Sequence, residues 1–343
     1  MDPFAEVIES YYLETNEGLF FAVKGMEHPP DRFIAVLRYA PDPDGDRKKG
    51  DIPYRRLYHF DEQEDLIRST YPQYLSYDRI FQTTLQGVPK PKIKQIYDPC
   101  ARLLELVRAP LTPIHQDLAA FVMLLQRESE VPPSAIGVSG SVLISMDAEN
   151  SDLDVSIFGK ENCRNVYETL ARLLDCGAAG LRRLNESEIG TLYAQRVVAD
   201  AHINFQEFSI PEKRKVCQGV FRQRPYFIRF LKCPHETGIR YGDLRYTPLG
   251  QVTIDGVISS DEEAFYTPCR YGLSDVSTLE GPSVRVTEVV SFRGRFCEQV
   301  GRGQVIRASG ALERVENTLG QIYYRLLLGN STHDKIVPNG VRH

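Results

Sequence analysis

No stretch of the 343-residue chain holds the roughly 20 consecutive apolar residues that a membrane-crossing helix needs. The opening residues, MDPFAEVIESYY, lack the basic and apolar regions of a secretion signal. Together these absences predict a cytoplasmic protein with no membrane partner. The cysteines (Cys100, Cys163, Cys176, Cys217, Cys233, Cys269 and Cys297) are odd in number and never form a CxxC pair. That argues against a disulfide framework and a structural zinc site. Cys233 and His235 in KCPHE read more simply as a thiol and an imidazole in a loop than as metal ligands. The histidines show no HExxH or paired-ligand spacing, and His28 in HPPD reads as a turn residue. No nucleophile elbow and no Walker loop occurs, which lowers the hydrolase and kinase readings. Charge of one sign is also missing in bulk: the net charge is only −5. Any nucleic-acid partner must be held by local basic patches.

What is present suggests an α+β chain in three parts. Residues 1–84 read as a β-rich module, with GLFFAVKG and DRFIAVLRY as strands split by the breaker HPP. LQGVPKPKIK (85–94) reads as a linker into a core over 85–235. Three helices are signalled in that core. DPCARLLELVR has Asp98 as N-cap and Pro99 at the first helical position. TPIHQDLAAFVMLLQR repeats that start with Thr112 and Pro113, and Leu118, Phe121, Val122 and Leu125 share one face. ENCRNVYETLARLLDCG follows, and a short helix is expected after Pro211. Residues 236–343 return to strands. GQVTIDGV there resembles GLFFAVKG at the front, so the last module reads as a candidate repeat of the first.

The most informative stretch is IGVSGSVLISMDAENSDLDVSIFG, residues 136–159. An apolar strand enters a turn at Gly140 and Ser141, where glycine allows close backbone approach to a phosphate and serine adds a hydroxyl donor. A second strand carries Asp152 and Asp154, which project to one face while Leu153 and Val155 turn to the core. Two adjacent carboxylates repel, and one would tend to take up a proton. A divalent cation resolves the conflict by using both as hard oxygen ligands.

Gly-Ser, ten residues, then Asp-Leu-Asp resembles the signature of the DNA polymerase β-type nucleotidyltransferase superfamily, over about residues 136–180. That superfamily includes CCA-adding enzymes, poly(A) polymerases and antibiotic nucleotidyltransferases. The whole chain is also similar to an uncharacterised, largely archaeal branch of predicted nucleotidyltransferases, on HPPDRFIAVLRYAPDPDGDR and GSVLISMDAENSDLDVSIFGKENC. The resemblance implies a nucleotidyltransferase core with a mixed β-sheet and helices, flanked here by β-rich modules. It assigns phosphate binding to Gly140 and Ser141, and Mg²⁺ or Mn²⁺ to Asp152 and Asp154. A nucleoside monophosphate would pass from a nucleoside triphosphate to an acceptor hydroxyl, with release of pyrophosphate.

The superfamily usually adds a third carboxylate on a later strand. Asp200 in RVVADAHINF leads that search; Asp243, Asp255 and Glu288 are further candidates, and the strand-like YFIRFLK has no acid. Without a third acid, the chain would bind nucleotide with little or no turnover. Basic clusters at 47–49, 55–56, 90–94, 212–215, 222–224 and 293–295 lie near aromatics, a mix suited to RNA or another nucleic acid. Lys213, Arg214, Lys215, Arg222 and Arg224 follow the core most closely, and one or more of them is expected to neutralise the triphosphate. The rival readings are an inactive nucleotide- or nucleic-acid-binding protein that keeps the fold, and an assembly protein.

Overall fold

The computed structural model describes residues 7–196 and 203–339. The chain begins with strands β1 (Tyr12–Thr15), β2 (Phe20–Val23), β3 (Arg32–Pro41), β4 (Arg47–Lys49) and β5 (Ile52–Arg56). Helix α1 (Phe60–Thr70) and strands β6 (Leu75–Asp78), β7 (Thr83–Pro89) and β8 (Ile93–Tyr97) follow. Next come α2 (Pro99–Arg108), α3 (Pro113–Ser129), β9 (Ile136–Val138), the single turn α4 (Gly140–Leu143), β10 (Leu153–Phe158) and α5 (Lys160–Asp175). After β11 (Leu181–Arg182), α6 (Glu186–Arg196), α7 (Phe205–Glu212) and β12 (Gln218–Phe221), the chain enters β13 (Arg224–Leu231) and α8 (Pro234–Thr237). Strands β14 (Leu244–Glu263), β15 (Cys269–Glu280), β16 (Val286–Ser291), β17 (Val305–Asn317), β18 (Ile322–Leu328) and β19 (Lys335–Pro338) complete it. The fold is α+β, with mixed and antiparallel sheets. No helix among the described residues is long and apolar enough to cross a membrane.

The chain forms two compact units. One gathers Met1–Arg79, Thr83–Leu170 and Gln223–Tyr241; the other gathers Ile80–Gln82, Ala171–Arg222 and Gly242–His343. The first unit therefore joins the N-terminal strands to the segment that carries the glycine-serine turn.

In the first unit, β4-β5-β3-β2-β1-β8 form a sheet, with β7 pairing β3 and β6. Strict alternation in β3 buries Phe33, Ala35 and Leu37, which join Leu13, Phe21 and Val23 under Ile67 of α1. Every residue of β2 is buried, so both faces of the sheet are covered. On the second face the Phe20 ring meets Tyr54 at 5.5 Å and Tyr97 at 5.8 Å. The stretch expected as a linker, 85–94, is instead β7 and β8, and Leu13 of β1 pairs with Ile96. Its prolines frame a short helical turn between the strands and do not detach them.

The caps read from the sequence are made. The Asp98 carboxylate accepts from the amides of Cys100 and Ala101, and the Thr112 hydroxyl accepts from the amide of His115. Leu118, Phe121, Val122 and Leu125 are buried along α3. From α3 onward the unit alternates helix and strand: α3, β9, α4, β10, α5, then β13. Strand β10 lies between β9, antiparallel, and β13, parallel. His28 stabilises a turn: its Nδ1 accepts the amide of Ile34 at 3.2 Å.

In the second unit, Asn204 and Glu207 form a reciprocal capping box at the start of α7. The expected helix thus starts six residues before Pro211 and takes Pro211 into its last turn, ending at Glu212. Strands β14-β15-β16-β18-β17 run in that order, and β14 also pairs β17, closing a five-stranded barrel. Only β16 and β18 run parallel within it. This is the connectivity of OB-type barrels, a scaffold that carries many functions. The two stretches read as a repeat fall on the adjacent pairs β2–β3 and β14–β15, inside sheets of different strand order.

Candidate functional site

The site is built where β9 ends. Gly140 takes a left-handed φ of +63°, and a Cβ placed there would stand 2.1 Å from Asp154 Oδ2. The carboxylate thus presses on the glycine, and only glycine leaves it room. The hydrogen bond from the Ser139 amide to the Asp154 carbonyl, at 2.8 Å, fixes the register that brings the two together. The side chains of Val142, Leu143, Ile144 and Met146 are buried and anchor the turn from below.

Leu153 and Val155 are fully buried, as the alternation requires. Asp154 faces the other way, and Asp152 is exposed, immediately before β10. Ser141 is buried and its hydroxyl shares a 3.3 Å hydrogen bond with Ser151 Oγ. Ser151 also receives the Ala148 amide at 2.9 Å and Arg47 Nη1 at 3.4 Å. Arg224, expected to neutralise phosphate, is committed to this turn: it donates to the carbonyls of Glu149 and Ser151 and to Asp117.

The N-terminal sheet is latched to the turn. The Ser139 hydroxyl donates to the Ser10 carbonyl at 3.3 Å, and the Ser156 hydroxyl donates to Ser10 Oγ at 2.8 Å. Lys49 passes 4.5 Å above the Tyr97 ring to donate to the Ile144 carbonyl at 2.8 Å.

Burial pushes the proton affinity of Asp154 above the ordinary carboxylate range. Arg229 opposes that shift, Asp152 adds to it, and Arg56 and Arg38 oppose it again. Arg229 Nη1 stands 3.8 Å from Asp154 Oδ1, and about a fifth of the Asp154 side chain (21%) remains open to solvent. Arg229 therefore faces a crowded but accessible carboxylate on which Arg38 and Arg56 also act electrostatically. Arg38 and Arg56 come from β3 and β5, and Arg229 comes from β13.

The arginine trio is only partly foreseeable from the sequence. The basic pair at 55–56 divides: Arg55 pairs with Asp42 and Glu62, while Arg56 acts on Asp154. Arg38 and Arg229 carry no such signal. The other expected phosphate partners are engaged in the second unit: Lys215 is buried against Glu212, Arg214 donates to the Gln299 carbonyl, and Lys213 pairs with Glu186. Arg222 lies over the ring of Phe221.

Asp200 lies outside the described residues. Asp255 is paired with Arg307 and Glu288 with Arg270, while Asp243 lies in the bend before β14. On β13, the neighbour of β10, Phe227 stands opposite Asp154 and Arg229 opposite Ser156. Among the described residues no set of three His, Cys, Asp or Glu side chains forms a ligand group. Asp152 and Asp154 alone still suit Mg²⁺ or Mn²⁺. These ions take hard oxygen donors and complete their shell with water and substrate phosphates.

No protein-family model matches the chain, and no solved structure matches it. Over 329 residues it is 30% identical to an uncharacterized protein of Methanocaldococcus jannaschii, MJ1086, covering 93% of this chain and 94% of that protein. The chain belongs to the family of this archaeal protein.

Proposed function

We propose that the protein is a metal-dependent nucleotidyltransferase of the DNA polymerase β type, with its site at Gly140, Ser141, Asp152 and Asp154. The observation that carries this reading is the direct contact between the Asp154 carboxylate and the left-handed Gly140. Such contact is what a shared grip on metal and phosphate requires, and a decorative surface hairpin has no need of it. The alternation of helix and strand from α3 to β13, with β10 antiparallel to β9 and parallel to β13, supports it.

Asp152 and Asp154 would hold Mg²⁺ or Mn²⁺, which supplies charge neutralisation at the triphosphate and activates an acceptor hydroxyl. The amides at Gly140 and Ser141 would position the phosphates. In the reaction, the acceptor oxygen bonds to the α-phosphorus as the bond to the bridging oxygen breaks. Pyrophosphate leaves, and the hydroxyl proton passes to solvent. Nucleic acid, RNA included, is the candidate acceptor.

A second reading is favoured by one observation: the face of β13 toward Asp154 carries Phe227 and Arg229 where a third carboxylate is expected. On this reading the protein binds nucleotide with little turnover. One assay separates the two. Each nucleoside triphosphate, labelled at the α-phosphate, is incubated with Mg²⁺ or Mn²⁺ and mixed RNA and protein acceptors. Label transfer by wild type and none by Asp152→Ala/Asp154→Ala supports the enzyme. Nucleotide binding without pyrophosphate release supports the second reading.

A further inference from the structure

We infer that Arg38, Arg56 and Arg229 form a binding site for the polyphosphate of a nucleoside triphosphate, and that the N-terminal sheet is thereby part of the site. The choice of a polyphosphate among anions rests on the nucleotidyltransferase reading; the anion site itself rests on the arginines.

Charge comes first. Three permanent cations, Arg229, Arg56 and Arg38, act on Asp154, as does the acid Asp152. Three guanidiniums outnumber these two carboxylates even with both ionised. An incoming anion removes this imbalance.

Donor capacity points the same way. Neighbouring cations are committed: Arg47 to Ser151, Lys49 to the Ile144 carbonyl, Arg102 to Ser145 and Glu105, and Arg224 to Asp117 and two carbonyls. The trio is not. Arg229 stands 3.8 Å from Asp154, outside hydrogen-bond range. Arg56 Nε is buried without a hydrogen-bond partner among the described residues, as are Arg47 Nε and Arg102 Nε. Each guanidinium instead rests on a ring: Arg56 lies 4.3 Å and Arg38 5.7 Å from the centroid of Tyr58, and Arg229 lies 5.3 Å from that of Phe227. Stacking fixes the plane of a guanidinium while leaving its N–H groups for planar, multidentate contact with phosphate oxygens.

Placement agrees. Arg229 stands 3.8 Å from Asp154, whose carboxylate crowds Gly140, and Arg38 and Arg56, which also act on Asp154, share the Tyr58 ring. A polyphosphate between the turn and the arginines would meet backbone amides on one side and guanidiniums on the other. Arg38 and Arg56 belong to β3 and β5, so these strands serve the ligand as well as their own core.

The test is titration calorimetry of the full chain with inorganic tripolyphosphate at low salt in the presence of EDTA. Wild type is expected to bind. Arg38→Gln, Arg56→Gln and Arg229→Gln should each weaken binding by about tenfold or more, the effect of losing one charge-assisted hydrogen bond. Arg55→Gln, whose side chain pairs with Asp42 and Glu62, should leave it unchanged. Lack of binding by wild type overturns the inference, as does unchanged affinity in the three variants or an equal loss in Arg55→Gln. If Arg56→Gln does not fold, Arg38→Gln and Arg229→Lys decide between the outcomes, and unchanged affinity in both overturns the inference. Failure of the enzyme reading is separable. Tripolyphosphate binding without any nucleotidyl transfer leaves the trio standing. Transfer with an unchanged KM for the triphosphate in the trio variants removes the trio alone.

Discussion

Gly140→Ala strains the site at its tightest point. The added Cβ would lie 2.1 Å from Asp154 Oδ2, 2.9 Å from its Cγ and 3.2 Å from its Cβ. Ordinary contact between carbon atoms is about 3.5–4 Å, so the carboxylate has to retreat by roughly 1 Å or more. The backbone adds its own cost, about 1–2 kcal/mol for an L-residue held in the left-handed region. Gly177 separates the two effects: its φ is +59° and nothing lies within 4 Å of its would-be Cβ. In urea unfolding, Gly177→Ala should lose about 1 kcal/mol and Gly140→Ala about 2–3 kcal/mol, the excess being steric overpacking. A shift of about 1 Å in a positioned group is worth about 100-fold in turnover. Nucleotidyl transfer by Gly140→Ala should fall by that factor or more, while Gly177→Ala keeps wild-type transfer. Equal stability of the two variants, with transfer intact in Gly140→Ala, would refute the claimed contact.

Three further outcomes are expected. Burial holds the His28 imidazole down to about 4, against about 6.5 when unfolded. Its contribution is fully present above the unfolded value and is lost as the pH falls toward 4. That amounts to about 3 kcal/mol, measured by urea unfolding at several pH values, and His28→Asn should flatten the slope. Asp154→Asn removes a carboxylate whose proton affinity burial raises, and such a group contributes less stability as the pH rises. The variant should be at least as stable as wild type at pH 7 and should lose any Mg²⁺-induced thermal shift; a destabilised variant that keeps the shift contradicts this. Lys215→Met strands the buried Glu212 carboxylate and should cost about 3–5 kcal/mol, whereas Glu212→Gln/Lys215→Met should be milder than the single change in chemical unfolding.

Features set by neighbours in the chain are legible in the sequence. Asp98 and Thr112 cap their helices because a cap is a matter of three or four residues. The apolar alternation around Asp154 likewise shows which side chains enter the core. The capping box of Asn204 and Glu207 is equally local, but Pro211 is the louder signal and misplaces the helix start. Long-range pairing is not legible. KPKIK reads as a linker because nothing nearby reveals that β8 pairs with β1 more than eighty residues earlier, as in Tyr12 opposite Tyr97. The arginines fail to announce themselves for the same reason. Which of Arg55 and Arg56 acts on Asp154 depends on the facing of β5 against β3, with Arg56 opposite Tyr39. Arg229 stands in a strand whose most visible sequence feature is the lack of an acid; the parallel register with β10 brings it beside Asp154.

The latch between Ser10 and the hydroxyls of Ser139 and Ser156 has a consequence for synthesis on the ribosome. Groups numbered 10, 38, 56, 140, 154 and 229 must all have emerged before the site is assembled. Until then the early strands wait with one flank bare. Shortening the chain from its front to isolate an acidic motif would expose that flank and discard two of the cations. Fragments begun near residue 98 should therefore come out as insoluble, ligand-deaf material, and soluble fragments that still bind tripolyphosphate would contradict this.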